Sequence, residues 1–225
     1  MPAKNVIKQF VENGYYHIYN RGVEKREIFE SDLDYRVFLH LLKFYLSPQT
    51  DDDHPLTSLT GFIPVRLRPL QSLDNEVDLL TYCLMPNHFH LLLKQLTVNG
   101  ITKLLRRLST TYSMYFNRKN NRVGHLFQGI YKAAYISNEA YLLHLSRYIH
   151  LNPSSLTGMN PVSYPYSSYQ YYLGRKSAVW VKPQFILSYF HSKQLPLPKN
   201  INTYQRFVED YLEASKADLG NLALD

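Results

Sequence analysis

The alternation of apolar and polar positions divides the chain into short elements. Tyr15-Tyr16-His17-Ile18-Tyr19-Asn20 is β-prone and predicts a first strand, closed by a turn at Asn20-Arg21-Gly22. Phe38, Leu41, Leu42 and Tyr45 recur at helical spacing and predict a helix over 34–47, capped by Asp32 or Asp34. Val77 to Leu84 and His88 to Gln95 predict two further strands, and the short Met85-Pro86-Asn87 link makes them an antiparallel hairpin. Leu104, Leu105, Leu108, Tyr112 and Tyr115 share one face of a helix over 102–117, with Arg106 and Arg107 largely off it. Asn120 to Gly124 ends that helix, and Leu126 to Ile136 predicts a fourth strand. A last helix, capped by Ser137 or Asn138, runs to Leu151 and stops at Asn152-Pro153. The order β-α-β-β-α-β followed by a helix predicts an α+β, ferredoxin-like fold, an antiparallel sheet with helices on one face.

Two stretches fall outside this pattern. Residues 48–76 hold Pro48, Pro55, Pro64, Pro69 and the acidic run Asp51-Asp52-Asp53, which predicts a long loop or insertion. From 154 onward the chain is rich in Tyr, Pro and Ser, with helices expected at about 183–191 and 203–215. The division this suggests is a domain over 1–175 and a helical extension over 176–225. The single cysteine, Cys83, excludes an internal disulfide framework and a thiolate zinc cluster, and fits a reducing compartment. No apolar run approaches the ~20 residues of a membrane span, and Met1 to Asn5 opens no signal-peptide core, so a cytoplasmic protein is expected.

Charge adds a class of partner. The net charge is +7, and residues 101–147 alone carry Lys103, Arg106, Arg107, Arg118, Lys119, Arg122, Lys132 and Arg147 against one acid, Glu139. A basic zone this concentrated suggests a polyanion, most simply nucleic acid. Some of the twenty tyrosines and eleven phenylalanines are then available to stack on unpaired bases.

The candidate chemistry begins at Met85-Pro86-Asn87-His88-Phe89-His90-Leu91-Leu92-Leu93-Lys94. On a strand, His88 and His90 point to one face and Phe89 to the other. Two imidazoles side by side make two thirds of a divalent-metal site. On the 139–151 helix, Tyr148 and Asn152 are four apart and face the same side, with His144 one turn earlier and Tyr141 and Leu145 completing the stripe. A core face with a polar end would give the same spacing. Tyr112 and Tyr115 are rival hydroxyls, but their apolar stripe favours packing, and His17 reads as strand packing.

The stretch 85–93 resembles the His-hydrophobe-His strand of the HUH endonuclease superfamily, and more narrowly that of the REP-associated tyrosine transposases, single-tyrosine enzymes related to the smallest insertion-sequence transposases. The likeness extends to Tyr16-His17-Ile18-Tyr19-Asn20-Arg21-Gly22, to Tyr115-Phe116-Asn117-Arg118 with Gly124-His125-Leu126-Phe127-Gln128-Gly129-Ile130-Tyr131-Lys132, to Arg147-Tyr148-Ile149-His150-Leu151-Asn152-Pro153 and to Tyr164-Pro165-Tyr166-Ser167-Ser168-Tyr169. It covers residues 14–175 in order. It implies that Tyr148 is the nucleophile and that His88, His90 and Asn152 hold the metal. His144 is an accessory candidate, to orient a ligand or to shuttle the tyrosine proton. The expected DNA contacts are Arg21, Arg106, Arg107, Arg118, Lys119, Arg122, Lys132 and Arg147.

That resemblance implies a metal-dependent single-stranded DNA endonuclease and strand transferase, acting beside hairpins through a 5′-phosphotyrosine. Imidazole and amide ligands with open positions fit Mg2+ or Mn2+. Single-stranded or hairpin DNA is the expected partner, and a monomer the expected state. Two alternatives stand: a non-catalytic RRM-like nucleic-acid binder, and a replication-initiator or relaxase-type nickase of the same superfamily.

Overall fold

A computed structural model describes residues 10–48, 71–157, 159–190 and 201–214. Strands β1 (Tyr15–Arg21), β2 (Val77–Met85), β3 (His88–Gln95) and β4 (Lys132–Ile136) form one sheet in the order β2-β3-β1-β4. Every neighbouring pair is antiparallel. Helices α1 (Asp32–Leu46) and α2 (Gly100–Lys119) connect β1 to β2 and β3 to β4. This is the expected ferredoxin-like arrangement.

One face of the sheet carries Tyr16, Ile18, Phe89, Leu91 and Leu93, packed under Phe38, Leu41 and Leu42 of α1 and Leu104, Leu108 and Tyr112 of α2. The other face is covered in part by α3 (Glu139–Leu151) and by the chain beyond it. There Leu142, Leu145 and Ile149 of α3 share a second core with Tyr169, Tyr172, Tyr204 and Phe207. The two crossover helices therefore sit on one face as expected, and the sheet is sandwiched rather than half open.

Local chemistry explains the boundaries. α1 is capped by Ser31, one residue before Asp32 and three before Asp34. Asp34, three residues in, accepts hydrogen bonds from the Ser31 amide at 2.9 Å, the Ser31 hydroxyl at 2.9 Å and the Glu30 amide at 3.0 Å. α3 starts where expected, with the Asn138 side chain accepting from the Tyr141 amide. The fourth strand is shorter than predicted. Leu126 and Phe127 are buried in the first core, and Phe127 makes only a single bridge to Gly22. Gly129, at φ +152°, then carries the chain back to the edge, so pairing starts at Lys132.

β2 reads as a continuous apolar run because both of its faces are buried. Its register shifts by one between Leu79 and Thr81, so Leu80 is an extra residue that turns into the second core. The free edge of β2 is occupied by the segment 164–168. Leu84 N donates to Tyr166 O, Ser168 N to Tyr82 O, and the Tyr164 hydroxyl to Leu84 O. Past it come short helices α4 (Tyr169–Tyr172) and α5 (Gln184–Ser188), then α6 (Tyr204–Ala214). The expected loop over 48–76 lies, for residues 49–70, outside the described residues.

Candidate active site

The registers align the candidate residues in rows. Arg21 of β1 is opposite His88, and Tyr19 is opposite His90 on one side and Lys132 of β4 on the other. His17, Tyr19, Arg21, His88 and His90 therefore share the face away from α1 and α2. Phe89 points the opposite way and is fully buried, its ring 5.2 Å from Phe38 and 5.9 Å from Phe127. That anchor fixes which face the two imidazoles present.

Each imidazole is oriented by a neighbour. His88 Nδ1 is 2.6 Å from Asn87 Oδ1. Asn87 Nδ2 in turn donates to Lys25 O at 3.2 Å, so the amide orientation is set and His88 Nδ1 must be the donor. Its Nε2 is left as the lone pair. The turn that carries Asn87 is clamped by Gly22 N on Asn87 O and by Ile28 N and Phe29 N on Pro86 O. A side chain at Gly22 would collide with the Arg26 carbonyl oxygen. His90 is fully buried, with Nδ1 2.9 Å from His17 Nε2 and with Nε2 bonded to no group among the described residues. Burial pushes His17 and His88 down to about 4, and burial with the charges of His17, His88 and Arg21 pushes His90 lower still. All three rings are neutral at pH 7, the state a metal ligand requires.

α3 brings the remaining residues over this face. The Tyr148 ring lies 5.7 Å from His90 and 6.4 Å from His17, edge-on to both. Asn152 donates Nδ2 to Tyr148 O at 2.9 Å, and its side chain lies beside His88 and the Tyr148 phenol, drawing the pKa of the first up and that of the second down. The chain continues past Leu151 as a 3-10 turn, Asn152–Ser155, with Pro153 ending the α-helical pairing. Burial raises the Tyr148 phenol above 10 while the Asn152 contact lowers it, and the net effect is upward. The phenol is neutral at pH 7 and needs a polarised partner to react.

α3 is itself pinned from behind. His150, fully buried, bonds Tyr204 Oη through Nδ1 at 2.8 Å and Ser168 Oγ through Nε2 at 2.7 Å. Arg147 stacks on Tyr211 at 3.7 Å and on Phe207 at 4.3 Å, and donates to Phe207 O. The α6 helix thus holds the helix that carries Tyr148.

The sequence-predicted residues divide by layer. Tyr148, His88, His90 and Asn152 converge. Arg21 and Lys132 flank them, Lys132 with its ammonium 5.6 Å from the Tyr19 ring. His144 pairs with Arg147 at 2.5 Å and makes no hydrogen bond to Tyr148. Arg106, Arg107, Arg118, Lys119 and Arg122 belong to α2 and its end, on the opposite face of the sheet. Lys119 is bound to the buried carboxylate of Asp34 at 2.7 and 2.8 Å, Arg107 donates to Gln71 O, and Arg122 donates to Asn117 Oδ1. The rival Tyr112 and Tyr115 are in the first core, donating to Ile28 O and to Asp34. Sequence reading treated His17 as packing and gave Asn87 no role. The signal was the period-2 alternation that puts His17 on the face of Tyr19 and Arg21.

The donor set suits a divalent cation. Among the described residues no three His, Cys, Asp or Glu side chains are placed to hold a metal ion between them, so a third protein donor beside the His pair would be an amide, and Asn152 is the amide beside His88. The buried, unpartnered His90 Nε2 is the feature a bound cation would satisfy. No helix among the described residues is long and apolar enough to cross a membrane.

Known proteins match the chain both in structure and in sequence pattern. A solved REP-associated tyrosine transposase, bound to a REP hairpin, shares the fold with a TM-score of 0.53 and 11% identity, over 80% of this chain and 91% of that chain. No curated protein matches. Residues 70–152 match the family model described as "Transposase IS200 like". The hairpin bearing His88 and His90 and the helix bearing Tyr148 and Asn152 both fall inside that stretch, over which the chain carries the sequence pattern of the IS200-like transposases.

Proposed function

We propose that the protein is a divalent-metal-dependent endonuclease and strand transferase acting on single-stranded DNA beside hairpins, with Tyr148 as nucleophile. The observation that carries this is the convergence of Tyr148 and Asn152 on the His88–His90 face, with Tyr148 5.7 Å from His90 between ring centroids. The hairpin enters from the structural relative, which was solved on one.

The Tyr148 oxygen forms a bond to the scissile phosphorus as the bond from phosphorus to the 3′-oxygen breaks. The phenol proton goes to solvent, and the 3′-oxygen leaves as a hydroxyl. The retained 5′-phosphotyrosine keeps the phosphodiester's energy, so a second 3′-hydroxyl can reverse the step and join strands without ATP. His88 and His90 would hold Mg2+ or Mn2+ through Nε2 and Asn152 through its amide oxygen, and the cation supplies Lewis-acid polarisation of the phosphate. His17 and Asn87 fix the two ring tautomers. Asn152 also fixes Tyr148, and Arg21 and Lys132 stand beside the site to offset phosphate charge. Because Tyr148 lies over the His pair of its own chain, the reading includes action as a monomer.

The test is covalent capture. Wild-type protein with Mn2+ and a hairpin-bearing oligonucleotide should yield a DNA-linked peptide whose mass places the phosphate on Tyr148. Tyr148→Phe should form no adduct while binding DNA within about twofold of wild type. An adduct on that variant, or none on wild type, would overturn the assignment. A non-catalytic binder predicts the second outcome.

A further inference from the structure

A cavity of about 390 Å3 opens beside Tyr148. Its volume is within the range of small-molecule sites, about 300–1,000 Å3. Tyr19 and His17 line it from the sheet, Tyr141 and His144 from α3, and Tyr211 from α6, while Tyr148 itself is part of its wall. His88 and His90 are not among its lining residues. The proposed chemistry uses Tyr148 and His17 from its wall but places no part of the DNA in this space.

We infer that the cavity takes one unpaired nucleobase, that of the nucleotide on the 3′ side of the scissile phosphate. This rests on the nuclease reading and adds a base to it. Several aromatic rings around one recess are what a splayed-out base stacks on. Position in the reaction selects which base. In-line displacement puts the leaving 3′-oxygen opposite the attacking phenol oxygen, so the departing nucleotide lies on the far side of phosphorus from Tyr148. The nucleotide retained through its 5′-phosphate lies off that axis and stays tethered to Tyr148, beside which the cavity opens. Arg147 is already spent on Phe207, Tyr211 and His144, which keeps the α6 wall in place in free protein. The pocket is therefore preformed and needs no closure.

Tyr141 is the residue to change. It is 46% exposed on α3, so Tyr141→Ala removes a wall without opening a core. Oligonucleotides with one abasic position moved stepwise along the strand are assayed for binding and, in parallel, for adduct formation. One position should cost wild type about tenfold in affinity, the scale of a single base stack. Tyr141→Ala should lose the same factor on intact DNA and nothing more on DNA abasic there, while Tyr141→Phe keeps wild-type affinity. The mapped adduct should place that position just 3′ of the cut. A flat scan, additive losses in the cycle, or a sensitive position on the 5′ side would overturn the pocket. A sensitive position paired with Tyr141, but no adduct on any oligonucleotide, would support the base pocket and overturn the nuclease reading instead.

Discussion

At the scale of single residues, the site depends on what stands behind the two imidazoles as much as on the imidazoles. His90 is buried away from solvent, and its only hydrogen-bonding neighbour among the described residues is His17. With His90 Nδ1 donating to His17 Nε2, the lone pair at His90 Nε2 faces the site. If the hydrogen bond ran the other way, a buried N–H would be left without an acceptor, at a cost of about 1–3 kcal/mol. His17 is therefore a positioning residue, and its replacement should weaken the metal without removing a ligand. His17→Phe keeps the ring on a strand that tolerates aromatics, and its Mn2+ affinity by calorimetric titration should fall about 10- to 100-fold. Asn87→Ala should do the same through His88, with circular dichroism unchanged in both. If both variants bind Mn2+ as wild type does, the tautomers are set by something else.

At the scale of elements, the two crossover helices are joined at a charged node as well as by apolar packing. Asp34, fully buried in the first turn of α1, takes Lys119 from the end of α2, the Tyr115 hydroxyl and the Ser31 cap. Burial pushes its carboxyl up, but the hydrogen bonds from Lys119, Tyr115 and Ser31 and the Lys119 charge outweigh it, so the folded value lies below 3.8. A depressed carboxylate stabilises the fold in full above its unfolded value and loses that contribution as pH falls through the folded one. Asp34→Asn should thus cost about 3 kcal/mol in urea at pH 7, and the gap to wild type should narrow below about pH 4. An equal gap at pH 7 and pH 3 would mean that the charge is not what Asp34 contributes. This node also shows where sequence reading stops. The periodicity of Phe38, Leu41 and Leu42 made α1 legible, and the Pro86-Asn87 turn made the hairpin legible, because burial on one face leaves a pattern. Lys119 looked like a nucleic-acid contact because its partner is 85 residues away and only the packing of α1 on α2 brings them together. The Leu80 bulge was hidden for a related reason: β2 is buried on both faces, so a slip by one residue leaves no mark in its hydropathy. The candidate site was legible at His88, His90, Tyr148 and Asn152. His17 was not, since its function arises only from the pairing of β1 with β3.

At the scale of the whole molecule, the sheet divides the basic residues into two populations. Arg21 and Lys132 share the face and flank of the His pair, whereas the α2 cations lie on the layer behind it. The net charge of +7 is therefore not a single surface gathered at the candidate site. On the proposed function, a strand in reach of Tyr148 would run along the His face, and DNA touching α2 would be the part that passes around the sheet. Cations of the first kind should act on the chemical step, and those of the second on affinity alone. Arg21→Gln is expected to slow adduct formation at saturating DNA by about tenfold, the scale of one lost charge-stabilising contact. Arg106→Gln, exposed on α2, should leave that rate unchanged. If the hairpin stem reaches α2, the same substitution should reduce the slope of log affinity against log salt by about 0.9, one phosphate contact. The two measurements separate the layers. Loss of rate in Arg106→Gln at saturating DNA would mean that the basic helix reaches the reacting phosphate, and the division of labour across the sheet would be wrong.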